Sequence, residues 1–327
     1  MSAEVESMFY YGDTPWHSLG KPVEHALTAK EAIVEAGLDW EVEMVPLYHR
    51  WQGQRLKIEH KLATRRTTDG TILGIVTPKY SPVQNKEAFG FFDSVVGTGE
   101  AKYHTAGSLR QGQYIWMLAK LNDVMNINGD EVDKYMLLMN GHNGWLALKM
   151  FFTPIRVVCM NTLMAAAAGA QRIETFHAKH LGNISGKMEQ AREILGMTMK
   201  FYSDFQEQAN ILARNQLPAP AFPKLLAASF GTTGSIRMED IVTLNDFGST
   251  KKINQMEMVQ ALYEGDGKGL DNPTIKGTKW AAYNAIVEYV DYGRKFRGAS
   301  PEDNRLENAW ISDGMRIKNK AWKYLTS

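Results

Sequence analysis

Between residues 42 and 77, and again between 101 and 152, the chain repeats one device: a strand-length run, a short turn, then another strand-length run. Connections this short cannot hold a crossover helix, so successive strands must run antiparallel. Val42 and Met44, then Leu56 and Ile58, alternate with period two, the spacing of half-buried strands. Trp51-Gln52-Gly53-Gln54 reads as a hairpin turn and Asp69-Gly70 as a second one. A strand over 71–77 follows. Asn85 then caps a helix with Ala88, Phe89, Phe92, Val95 and Val96 on its apolar side, closed by Gly97. The local order is β-β-β-α. Further strands are expected at 101–107, 113–121, 134–140 and 145–152, with turns at Asn128-Gly129-Asp130 and at 140–144. Strands and helices do not alternate, which argues against a Rossmann fold.

The flanking regions read differently. Residues 1–27 look irregular, rich in turn signals. Thr28 and Glu31 form a capping-box pair at the head of a short helix that Gly37 ends. An Ala-rich helix is expected over 161–170. From about 185 the pattern is helical: Met188, Ala191, Leu195, Thr198, Tyr202, Phe205, Ala209 and Leu212 follow heptad spacing. Pro218 stops that helix, and 214–236 reads as a linker or hinge. Helices follow near 237–246, 253–264, 277–292 and 314–325, with Trp280, Tyr283, Val287 and Val290 in one stripe. The fold class is α+β: an antiparallel core domain over 1–182 containing the β-β-β-α element, then a helical region over 183–327.

No catalytic constellation stands out. Cys159 is the single cysteine, and its apolar setting reads as a buried hydrophobe. Among eight histidines only His177 and His180 lie close in sequence, and no zinc-ligand pattern occurs. The glycine-rich run 265–269 contains Lys268 but lacks the phosphate-loop signature, and no nucleophile elbow is present. Catalytic residues, metals and cofactors are therefore expected to be none. No apolar run approaches the ~20 residues of a membrane span, and no secretory signal is evident, so the expected compartment is cytoplasmic.

The strongest chemical signal is electrostatic. The chain carries 37 Lys+Arg against 36 Asp+Glu, a net charge of +1. Yet residues 49–66 hold Arg50, Arg55, Lys57, Lys61, Arg65 and Arg66 against one acid, Glu59, with Trp51 among them. A neutral chain that gathers cations on one hairpin can follow a phosphate backbone locally while aromatic rings stack on bases. The alternative is a solvated hairpin face. Lys79, Arg110 and Arg156 are candidates to extend the track. Tyr80 joins Trp51 as a candidate stacking residue, with Tyr103, Tyr114, Trp116 and Trp145 as further aromatic candidates.

Four blocks carry a resemblance: residues 8–20 (MFYYGDTPWHSLG), 74–89 (GIVTPKYSPVQNKEAF), 153–163 (TPIRVVCMNTL) and 279–291 (KWAAYNAIVEYVD). They resemble the phage/plasmid-like proteins of domain-of-unknown-function family 932, whose function is not established, so no site residues are carried over. The β-β-β-α order and the basic hairpin are also remotely similar to single-strand annealing proteins, which form rings or filaments and need no ATP. The expectation is a protein of a phage or plasmid, acting in the bacterial host cell, that binds and anneals single-stranded DNA as a homo-oligomer. The alternatives are a nucleic-acid-processing enzyme and a structural or host-interaction protein.

Overall fold

The structure is a computed structural model and describes residues 8–11, 21–25, 27–96, 101–146, 148–156, 184–234, 236–295 and 313–327. The chain forms two compact units that exchange segments. One holds Met1–Asn122, Met136–Phe151 and Arg172–Met197; the other holds Asp123–Tyr135, Phe152–Gln171 and Thr198–Ser327. The boundary expected at 182/183 falls outside the described residues, as do the Ala-rich stretch 161–170, Cys159, His177 and His180.

The strands are β1 (Met8–Tyr11), β2 (Lys21–Val23), β3 (Val42–Trp51), β4 (Gln54–Arg66), β5 (Ile72–Val76), β6 (Ala101–Leu109), β7 (Tyr114–Ile127), β8 (Asp130–Gly141) and β9 (Lys149–Arg156). They build a six-stranded sheet in the order β2-β1-β6-β7-β8-β9 and a three-stranded sheet in the order β3-β4-β5. The consecutive hairpins are antiparallel, as the short turns require. The N-terminal stretch, expected to be irregular, supplies two strands instead. β1 runs antiparallel to β6 and parallel to β2. Its turn signals obscured two short segments: β1 finds its partner β6 far along the chain, and β2 adds at the edge of β1.

In the first unit, α1 (Ala29–Glu35) begins with the expected capping box at Thr28 and Glu31, and Gly37 follows with φ +62°. α2 (Asn85–Val96) turns Ala88, Phe89, Phe91, Phe92 and Val96 inward, and Phe89 and Phe92 pack around Tyr103 of β6. Asn85 does not cap this helix with its side chain. Its Nδ2 donates to Leu38 O at 2.9 Å and Trp40 O at 3.3 Å, so the amide holds the chain entering β3.

The second unit is built on the part of α3 (Ile184–Arg214) from Thr198 onward, α4 (Ala221–Phe230), α5 (Thr250–Ala261), α6 (Lys279–Glu288) and α7 (Asp313–Thr326). The C-terminal half of α3 buries Thr198, Tyr202, Phe205, Ala209 and Leu212, the heptad positions, together with Phe201. The stretch read as a linker contains α4, whose Phe222, Leu225 and Leu226 are buried. Pro218, Pro220 and Gly231 bound a helix whose first turn holds Pro223, rather than loosening the chain. α6 is buried on every side from Trp280 to Glu288, which a single apolar stripe does not predict. Among the described residues no helix is long and apolar enough to cross a membrane.

Candidate nucleic-acid interface

β3 and β4 pair from Val42↔Arg66 outward to Trp51↔Gln54. The two residues between them, Gln52 and Gly53, have φ of +47° and +79°. Two consecutive positive φ values are the geometry of the tight turn whose twist matches the flanking strands. β5 covers β4 only from Leu62 to Arg65. Beyond it, residues 48–57 form a two-stranded arm in which every residue is exposed.

Four residues of β4, 58–61, stand opposite Leu47 alone, where the register shifts between Pro46 and Tyr48. His60 sits in this bulge with φ +61°. Bulges bend a ribbon and sharpen its twist; here the bulge separates the covered base of the hairpin from its free end.

Cross-strand partners share a face, and faces alternate along each strand. Tyr48 stands opposite Lys57, and Arg50 opposite Arg55. One face of the arm is therefore Tyr48, Arg50, Arg55 and Lys57. The other is His49, Trp51, Gln54 and Leu56. The arm carries no acidic side chain, and among the described residues no carboxylate pairs with its three cations. The Arg55 guanidinium lies over the Tyr48 ring at 3.9 Å from its centroid, a diagonal contact of the paired strands. Like charges placed directly opposite one another weaken a hairpin, and a lone two-stranded ribbon is marginal in water. The arm thus holds Arg50 against Arg55 without a third strand or a counterion to compensate.

The remaining candidates divide. Lys61 is exposed but lies in the bulge, where the alternation of faces breaks between Lys57 and Arg65. Arg65 is half-buried and its Nη2 pairs with Glu43 Oε1 at 2.7 Å. Arg66 is 5% exposed. It donates to Gln111 O at 2.6 Å, lies 3.6 Å from Asp69, and packs over the Trp40 ring. Arg66 is thus a tie between strands rather than a surface cation. Trp51 is 62% exposed, on the face opposite the arm's cations. Lys79 is exposed between β5 and α2. The Tyr80 hydroxyl donates to Gly141 O at 2.9 Å, and burial pushes its pKa up. Arg110 is exposed in the β6–β7 turn with φ +52° and is engaged by a neighbouring group. Arg156 closes β9 in the second unit, and its side chain lies outside the described residues. Tyr103 and Trp116 are core. Two aromatics gain weight from the structure: Tyr48, on the basic face, and Trp145, 90% exposed. The two-residue turn at Gln52-Gly53 carried the signal for Tyr48, because it sets the register that brings Tyr48 onto the cations' side.

Among the described residues no group of three or more His, Cys, Asp or Glu side chains could hold a metal ion. The family model described as Domain of unknown function (DUF932) matches residues 72–310. The chain belongs to the DUF932 family. The match leaves β3 and β4 outside its bounds, so the arm is a feature of this chain beyond the matched region. No curated protein and no solved structure matches this DUF932 member.

Proposed function

We propose that this DUF932 protein binds single-stranded DNA along the arm 48–57 and anneals complementary strands. It would act without ATP, as an assembly of several copies, and serve a phage or plasmid in the cytoplasm of its bacterial host. One observation carries the reading: three cations and a tyrosine share one face of an exposed arm that has no acid on it. Phosphates would follow Arg50, Arg55 and Lys57, and bases would stack on Tyr48 and, at the tip, on Trp51. The β3-β4-β5-α2 order adds the similarity to single-strand annealing proteins. That likeness concerns the order of elements, and function must be argued from the site.

The test is binding of a fluorescent oligothymidylate across a salt series. Each phosphate contact to a single strand adds about 0.7 to the slope of log affinity against log salt. Replacing Arg50, Arg55 and Lys57 together by Gln should flatten that slope by about 2 and weaken binding at low salt. Energy transfer between labelled complementary strands reads annealing. A wild-type protein that leaves the oligonucleotide free even at low salt overturns the proposal.

A further inference from the structure

The end of β8 and the start of the loop after it are tied down from Asn140 to Gly144. Asn140 Nδ2 donates to Val83 O at 3.0 Å, and the Tyr80 hydroxyl donates to Gly141 O at 2.9 Å. The His142 amide donates to Gln113 O at 2.8 Å, and its carbonyl accepts from Thr64 Oγ1 at 2.7 Å. A Cβ at Gly74 would lie 2.4 Å from Asn143 Cα, so β5 passes directly beneath the loop with no room for a side chain. Gly144, at φ +82°, meets Val76 in the same way.

This scaffolding ends in Trp145. Its amide donates to Asn143 Oδ1 at 3.0 Å, which sets the turn, while the following Leu146 is buried and Trp145 itself is 90% exposed. An indole turned almost wholly into water on a mobile loop is unremarked surface; on a loop fixed by long-range hydrogen bonds it is a presented ring. A protein hot spot fills a pocket in its partner and is ringed by neighbours that exclude water. Trp145 stands clear of neighbours, which leaves the ring open to stacking and suits a base more than a packed interface. Val76 and Tyr80, which both touch this loop, bracket Lys79, exposed and without a carboxylate partner among the described residues.

We infer that Trp145 is a second base-stacking platform for a nucleic-acid strand, with Lys79 taking the adjoining phosphate. This rests on the arm being a single-strand-binding surface, and it adds a fixed contact that a thin arm alone does not provide.

The test compares wild type, Trp145→Ala, Trp145→Phe and Lys79→Gln on the oligothymidylate. Stacking contributes enough per base that Trp145→Ala should weaken binding roughly 5- to 150-fold, with the salt slope unchanged. Trp145→Phe should recover most of the loss. Lys79→Gln should lower the slope by about 0.7. Unchanged thermal melting of all variants confirms that the fold is intact. If wild type binds, the arm variant is weakened and Trp145→Ala binds as wild type does, this inference fails while the arm reading stands. If wild type does not bind at all, the arm reading itself fails. If Trp145→Ala changes the assembly mass by light scattering and leaves oligonucleotide affinity alone, the ring is a contact between copies and the inference is overturned.

Discussion

His142 shows how a single residue can tie a surface loop to the core. Asn85 spends its Nδ2 on Leu38 and Trp40 carbonyls, so its Oδ1 accepts from His142 Nε2–H at 2.8 Å. That places the proton on Nε2 and leaves Nδ1 buried without a hydrogen-bond partner. Burial first, and the Arg66 charge second, lower the His142 pKa to about 4. The unfolded chain takes up this proton near pH 6.5 while the folded chain resists it, so stability falls as pH drops from about 6.5 towards 4. The loss should approach roughly 3 kcal/mol. Urea unfolding across that window should show this slope, and His142→Gln, which keeps a donor for Asn85, should remove it. Arg66 and Arg55, close in sequence, illustrate the opposite fates of like residues. One is buried under a carbonyl and an indole; the other lies on an exposed tyrosine.

At the level of elements, the second unit depends on how α7 docks. Lys318 of α7 and Asp291, just past α6, form an ion pair with both side chains essentially inaccessible, Nζ to Oδ1 at 2.5 Å. Desolvation lowers the Lys318 pKa and Asp291 opposes that shift. Phe205 of α3 stacks on Trp322 of α7, and Tyr283 of α6 meets the same ring edge-on. Removing one partner of a buried pair strands the other charge, so Lys318→Ala or Asp291→Ala should each cost about 3–5 kcal/mol. The double variant Lys318→Met with Asp291→Asn should recover a large share in chemical denaturation. Two equally unstable single variants with no recovery in the double would show that packing, rather than charge, holds α7. Nothing in the spacing of Arg316, Lys318 and Lys320 marks the middle one as buried.

For the whole molecule, the arm is separable from the folded units. Residues 48–57 are exposed throughout and β5 stops short of them. Replacing the arm by a two-residue Asn-Gly turn should therefore leave the melting temperature within a degree or two of wild type, roughly the effect of a surface change, while sharply weakening oligonucleotide binding and flattening its salt dependence. A large drop in melting temperature would show that the arm is structural. The near-zero net charge makes this contrast sharp, since no global positive field would remain to hold the strand.

The hairpins, the capped helix at Thr28, the β-β-β-α order and the gathering of cations at 49–66 were legible in the sequence, because each depends on residues a few positions apart. A tight turn, a cap and a charge run are all local. The faces were not. Trp51 opposite the cations, Tyr48 among them, Lys61 in a bulge and Arg66 in the interior all follow from the β3–β4 register and its four-residue break. The spacing predicts a strand starting at Trp145; contacts from Thr64, Gly74 and Tyr80 to residues 141–143, about sixty to eighty positions away, decide that it is presented instead. Long-range packing sets which side of a local element meets water, and that is the property on which a binding surface depends.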